Sequence, residues 1–176
     1  MNCSEIDPFW TYMESHLEIL DVALSPIICE INTASTPIDE HLYDRSEYLF
    51  GAGFVAIQKY MLETCHLNEI SVKKAINLKV QDERQVPFET AVWAAANYWK
   101  HDAEWWNVGS SKTEKSTDDD KPLPPNILRN LKILSAFGDF GHDYLCSSVL
   151  AAYTPSKELR LCSLLPRILD WRKLLK

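Results

Sequence analysis

One predicted helix carries polar side chains whose types and spacing could do chemistry. Asn97, His101 and Glu104 stand at positions i, i+4 and i+7, so they share one ridge of a helix. Histidine titrates near neutral pH, and a carboxylate beside it can fix its tautomer. His101 and Asn97 are therefore the candidate catalytic residues, with Glu104 as an accessory. The alternative is a polar seam in which both side chains satisfy neighbouring helices.

A metal site would need more ligands than this ridge supplies. One histidine and one carboxylate make at most half of a tetrahedral shell. The other four histidines are each isolated in the sequence: His16, His41, His66 and His142. We expect neither a metal nor any other cofactor.

The run Asn97-Tyr98-Trp99-Lys100-His101, within a helix rich in alanine and aromatic residues, resembles the signature helix of HEPN domains. The name denotes higher eukaryotes and prokaryotes nucleotide-binding. In that family, a late helix of an all-α bundle carries an arginine, often followed by asparagine, and a histidine five positions after the arginine. The resemblance implies dimers whose paired helices form a metal-independent ribonuclease site, and roles as toxins or phage-defence effectors.

This chain departs from the family pattern, because Ala96 occupies the arginine position. The next helix begins the same pattern at Arg129 but has leucine at the histidine position. The resemblance therefore implies a non-catalytic or altered member, acting in RNA- or nucleotide-linked regulation or in a prokaryotic defence or toxin–antitoxin system. An endoribonuclease that uses His101, with a cation from Lys100 or Arg129, stays open as an alternative.

Charge and composition allow a third function of a different class. The formal net charge of -7 and the pI of about 5.2 give no long-range attraction for nucleic acid. Six Trp, seven Tyr and six Phe could anchor a protein interface or fill a core. The third hypothesis is thus an acidic helical protein-binding module of the antitoxin or immunity type. The predicted partners are a second copy of the chain or another protein, with RNA as a further candidate and no membrane.

Positive side chains concentrate near the C-terminus, at Arg160, Arg167, Arg172, Lys173 and Lys176. Cations stabilise the C-terminal ends of helices and are common on solvated faces. We interpret this cluster as such a surface and not as a binding patch.

The elements that must position these residues are helices, because apolar residues recur at intervals of three and four almost throughout. The sequence predicts an all-α, compact bundle of five to seven helices of unequal length, in a single domain over residues 1–176. Pro26 should end or kink the first helix, and a capping box at Thr36 should start the second. Later helices are predicted at 87–106, 126–137, 142–153 and 157–175, the last interrupted by Pro166.

Two further segments carry structural expectations. Gly51 and Gly53 interrupt the second helix, and we attribute them to another helix packing closely against this point. The low-complexity stretch from Gly109 to Lys121 has no apolar residue to bury, which predicts a mobile loop at about 108–123.

The cysteines and the N-terminal residues indicate a cytoplasmic protein. Five cysteines are widely spaced, have no CxxC pair and lie mostly in apolar runs, so we expect reduced residues in the core. No basic segment followed by an apolar stretch begins the chain, and no apolar run is long enough to span a membrane.

Overall fold

The computed structural model describes residues 7–34, 40–78, 85–110, 124–139, 144–154 and 159–175, and for 102–110 it describes the backbone alone. These residues form seven α-helices and one 3-10 helix and include no strand, which confirms the all-α prediction. The helices are α1 (Pro8–Thr33), α2 (Glu40–Leu67), α3 (Val72–Ala75), α4 (Phe88–Ser110), α5 (Pro125–Leu134), α6 (Leu145–Tyr153) and α7 (Leu165–Lys173). The 3-10 helix covers Leu161–Leu164, directly before α7.

Helix α1 continues through Pro26 to Thr33, so of the two predicted effects of this proline the end of the helix is wrong, and a kink stays a prediction. A proline within a helix removes one backbone hydrogen bond. Here Leu24 and Ile27, on either side of the proline, are both buried in the core. Burial of that apolar face offsets the lost hydrogen bond, so the helix continues past the proline.

Helix α2 is central, since it packs against α1, α4 and α6. Its two glycines lie where neighbours approach most closely. A β-carbon at Gly51 would overlap the indole ring of Trp99 in α4, and one at Gly53 would overlap the side chain of Leu161. The prediction that these glycines permit close helix packing is confirmed.

Two buried carboxylates attach the C-terminal part of the chain to α1 and α2. Glu47 of α2 accepts hydrogen bonds from the backbone N–H groups of Cys146 at 2.6 Å and Ser147 at 2.9 Å. Asp21 of α1 accepts from the N–H of Leu161 at 2.7 Å and from that of the next residue at 3.0 Å. Each carboxylate thus satisfies otherwise unpaired N–H groups at the start of another helix.

Other boundaries differ from the sequence prediction. Helix α4 extends to Ser110, so residues 108–110 of the predicted loop are helical. The rest of that loop, 111–123, lies outside the described residues. The predicted cap at Thr36 also lies outside them. Pro166 stands in the first turn of α7 and begins that helix instead of interrupting one, because proline lacks only an N–H that is unpaired there.

Cys65 and Cys146 are buried as predicted, whereas Cys29 is exposed, which corrects the expectation of a core position for it. Among the helices described, none is both long enough and apolar enough to cross a membrane.

Candidate functional site

The predicted polar ridge of α4 is organised by a residue of α2, Gln58. The Gln58 side chain is buried and lies between Asn97 and Lys100. The Lys100 ammonium donates to Oε1 of Gln58 at 2.7 Å, and Nε2 of Gln58 donates to Oδ1 of Asn97 at 3.1 Å. One buried amide therefore joins two of the residues that the sequence singled out.

The direction of these hydrogen bonds decides what Asn97 can offer a ligand. An ammonium group can only donate, so Lys100 must face the amide oxygen of Gln58, and the amide nitrogen of Gln58 must face Asn97. The side-chain oxygen of Asn97 then already accepts a hydrogen bond from Gln58. Its NH₂ group remains as the donor, suited to an acceptor oxygen or nitrogen of a bound molecule.

Asn97 also lines a cavity of about 360 Å³ between α4 and α5. Across the cavity from α4 lie Arg129 and Asn130 of α5, and Thr90 and Trp93 of α4 complete its polar and aromatic wall. The structure thus brings Asn97 and Arg129 together, although 32 positions separate them in sequence. A guanidinium, three amide groups, one hydroxyl and an indole share one concave site, whose remaining members are Ile76, Pro125 and Ile133.

The remaining candidates lie elsewhere. His101 is exposed on α4 and does not belong to the lining of this cavity. Lys100 points to a second, larger groove formed with α1 and α2, and partial burial lowers the pKa of its ammonium. The side chain of Glu104 lies outside the described atoms, so its predicted pairing with His101 stays a prediction.

Gln58 is not among the residues predicted from the sequence, although a signal for it exists. Gln58 follows Phe54 by four positions and precedes Met61 by three, so it occupies the same buried stripe of α2. A polar residue on an apolar stripe needs hydrogen-bond partners inside the protein. Trp93 is not among the predicted site residues either.

In the described part of the chain, no group of three or more His, Cys, Asp or Glu side chains is arranged to hold a metal ion. Comparison of the chain with protein-family models, with curated proteins and with solved structures finds no match.

Proposed function

We propose that this chain is a HEPN-like domain that binds RNA or a nucleotide without cleaving it. It would serve RNA- or nucleotide-linked regulation in a prokaryotic defence or toxin–antitoxin system. The observation that carries the proposal is the cavity between α4 and α5, which both Asn97 and Arg129 line.

The chemistry of this cavity suits a nucleotide. Arginine pairs with phosphate through parallel N–H groups, and asparagine amides recognise the edges of bases. Trp93, which also lines the cavity, offers a surface on which a base can stack. A volume of about 360 Å³ matches a single nucleoside-sized group, so a longer RNA would place one nucleotide here.

Cleavage is not part of the proposal, for two reasons that concern α4. Alanine stands at position 96, where the family has its arginine. The Asn97 side chain is held by Gln58, and His101 lies in solvent outside the cavity. A general acid or base must reach the atom from which it takes or to which it gives a proton.

The experiment is fluorescence anisotropy with a short, labelled single-stranded RNA, with ATP and GTP as competitors. Arg129→Ala should weaken binding about ten- to a hundredfold, because a guanidinium contact is lost. Arg45→Ala, at an exposed site on α2, is the matched control and should bind as the unaltered protein does. Failure of the unaltered protein to bind any of these probes would overturn the proposal.

The ribonuclease alternative is tested in the same preparation. Incubation of the labelled RNA with the protein and a chelator, followed by denaturing electrophoresis, should leave the RNA intact. Cleavage that disappears in His101→Ala would replace the binding proposal with a metal-independent endoribonuclease.

A protein-binding function of the antitoxin or immunity type is the second candidate, and the surface of α1 favours it. Tyr12, Ile19 and Val22 lie along one exposed side of α1 with 70%, 66% and 75% of their surface exposed. Exposed apolar side chains in a row are common at protein interfaces. Stoichiometric copurification of a basic protein, lost in Ile19→Glu, would support this candidate. The homodimer implied by the family resemblance stays a prediction, which light scattering tests.

A further inference from the structure

A second concave surface includes Trp99 and Lys100 of α4, neither of which lines the cavity between α4 and α5. It is a groove of about 850 Å³ between the N-terminal half of α1, the middle of α2 and the end of the described side chains of α4. Its lining is mostly apolar and includes Phe9, Met13, Val55, Ala56 and Trp99. Ligand sites of proteins commonly have this size and this apolar character.

The ionised groups of the groove are two lysines and one carboxylate. Lys59, Lys100 and His16 belong to its lining, with Glu63 as the acidic member. Glu63 forms an ion pair with Lys59, one helical turn away. On a chain of net charge -7, a groove with two lysines and one carboxylate is locally cationic.

Lys100 has the geometry to receive an anion at the edge of the apolar lining. Gln58 accepts one of its three ammonium hydrogens, at 2.7 Å, which fixes the position of the charge. Partial burial also lowers the pKa of Lys100, so part of its hydration is already lost. A carboxylate here would replace that hydration and favour the charged ammonium.

We propose that the groove binds a single-chain amphiphilic carboxylate of the long-chain fatty acid type. The hydrocarbon chain lies along the apolar lining between α1 and α2, and the carboxylate pairs with Lys100. Burial of each methylene contributes about 0.8 kcal/mol, so affinity grows with chain length until the groove is filled. This proposal does not depend on nucleotide binding by the cavity between α4 and α5.

Isothermal titration below the critical micelle concentration, with laurate, dodecanol and dodecyltrimethylammonium, tests the proposal. The three probes share one hydrocarbon chain and differ in the charge of the head group. We expect laurate to bind most tightly and the cationic probe most weakly. Equal affinity for all three would overturn the proposal, because it would show unspecific adsorption to apolar surface.

Two variants locate the site. Ala56→Phe fills the groove and should weaken laurate binding at least tenfold, whereas Ala23→Phe, on the exposed side of α1, should not. Lys100→Gln should lower the affinity for laurate about tenfold and leave that for dodecanol unchanged, with Lys132→Gln on α5 as the control. Circular dichroism establishes that each variant is folded.

Two outcomes of these titrations would refute the assignment. Laurate affinity that is the same in Ala56→Phe and Lys100→Gln as in the unaltered protein places the ligand elsewhere. Binding of an acidic amphipathic peptide, without binding of laurate, would make the groove a docking site for a protein helix.

Discussion

The thiol of Cys162 lies beside the buried carboxylate of Asp21, at the start of the 3-10 helix. Burial is the largest cause that raises the pKa of Cys162, and the hydrogen bond to Asp21 and the negative charge of Asp21 add to it, so that the pKa reaches about 12. Thiolate, not thiol, is the nucleophilic form of cysteine. Cys162 should therefore be unreactive near neutral pH even though it is only partly buried.

This environment predicts an order of alkylation. With iodoacetamide at pH 8.5, Cys162 should react at least tenfold more slowly than exposed Cys29, because almost none of Cys162 is thiolate. Peptide mass spectrometry over time measures both rates. Denaturation in urea should make the rates equal, and Asp21→Asn should accelerate Cys162. Equal rates in the folded protein would contradict the predicted pKa of Cys162.

At the scale of elements, helix α6 depends on a carboxylate from another helix. Its N-cap residue, Tyr144, makes no side-chain capping hydrogen bond. Glu47 of α2 supplies the acceptors instead, to the backbone of Cys146 and to both the backbone and the hydroxyl of Ser147. A negative charge at this position also interacts favourably with the helix dipole.

Glu47→Gln should lower the free energy of unfolding by about 1 to 3 kcal/mol, because a buried, charged acceptor of several hydrogen bonds is lost. Urea unfolding followed by far-UV circular dichroism measures the change. Glu30→Gln, at an exposed site on α1, serves as the control and should stay within about 0.5 kcal/mol of the unaltered protein. Similar values for the two variants would show that the cap contributes little.

Contact between α2 and α4 is set at Gly51, two helical turns before Gln58. Gly51→Ala should lower the free energy of unfolding by about 1 to 3 kcal/mol, since its β-carbon would overlap the indole of Trp99. The double variant Gly51→Ala/Trp99→Leu should recover part of this loss in thermal unfolding. Helix propensity alone would make Gly51→Ala more stable than the unaltered protein by about 1 kcal/mol. That result would mean that Gly51 and Trp99 are less closely packed than in the structure.

The helices themselves were predictable, because an apolar period of three to four residues is a local property of the sequence. The preferences of single residues predict helix boundaries less well where tertiary packing determines them. Pro26 is a helix breaker by its chemistry, yet burial of Leu24 and Ile27 carries α1 through it. Pro166 was placed inside a helix, although its chemistry fits the first turn, where the structure has it.

The candidate site was predictable only in part. Asn97 and Lys100 were found because they share one helix with His101, and spacing along a helix can be read from the sequence. Gln58 joins them from 39 and 42 positions away, and Glu47 caps a helix about 100 positions away. Such pairings depend on how helices pack, which the residue types alone do not specify.

For the whole molecule, negative charge dominates, and positive side chains near the C-terminus are used within the protein. The Arg172 guanidinium lies 3.2 Å from the carboxylate of Asp7, and Arg160 Nε lies 3.8 Å from that of Asp21. These ion pairs tie the C-terminal segment to α1. They support a structural interpretation of the cluster, whereas Arg129 is exposed at the lining of the cavity between α4 and α5.

This distribution of charge predicts how salt affects RNA binding. A protein that contacts one phosphate of a single strand loses affinity with a slope of about -0.7 in a plot of log K against log salt. Arg129 is the cationic side chain that lines the cavity between α4 and α5. The net charge of -7 repels RNA at long range, and added salt screens this repulsion, which opposes the loss of affinity at Arg129. We therefore expect a slope of about -1 or shallower, and a still shallower one for Arg129→Ala. Anisotropy titrations at a series of salt concentrations measure it. A slope of about -3 or steeper would mean that an extended basic surface, and not this cavity, holds the RNA.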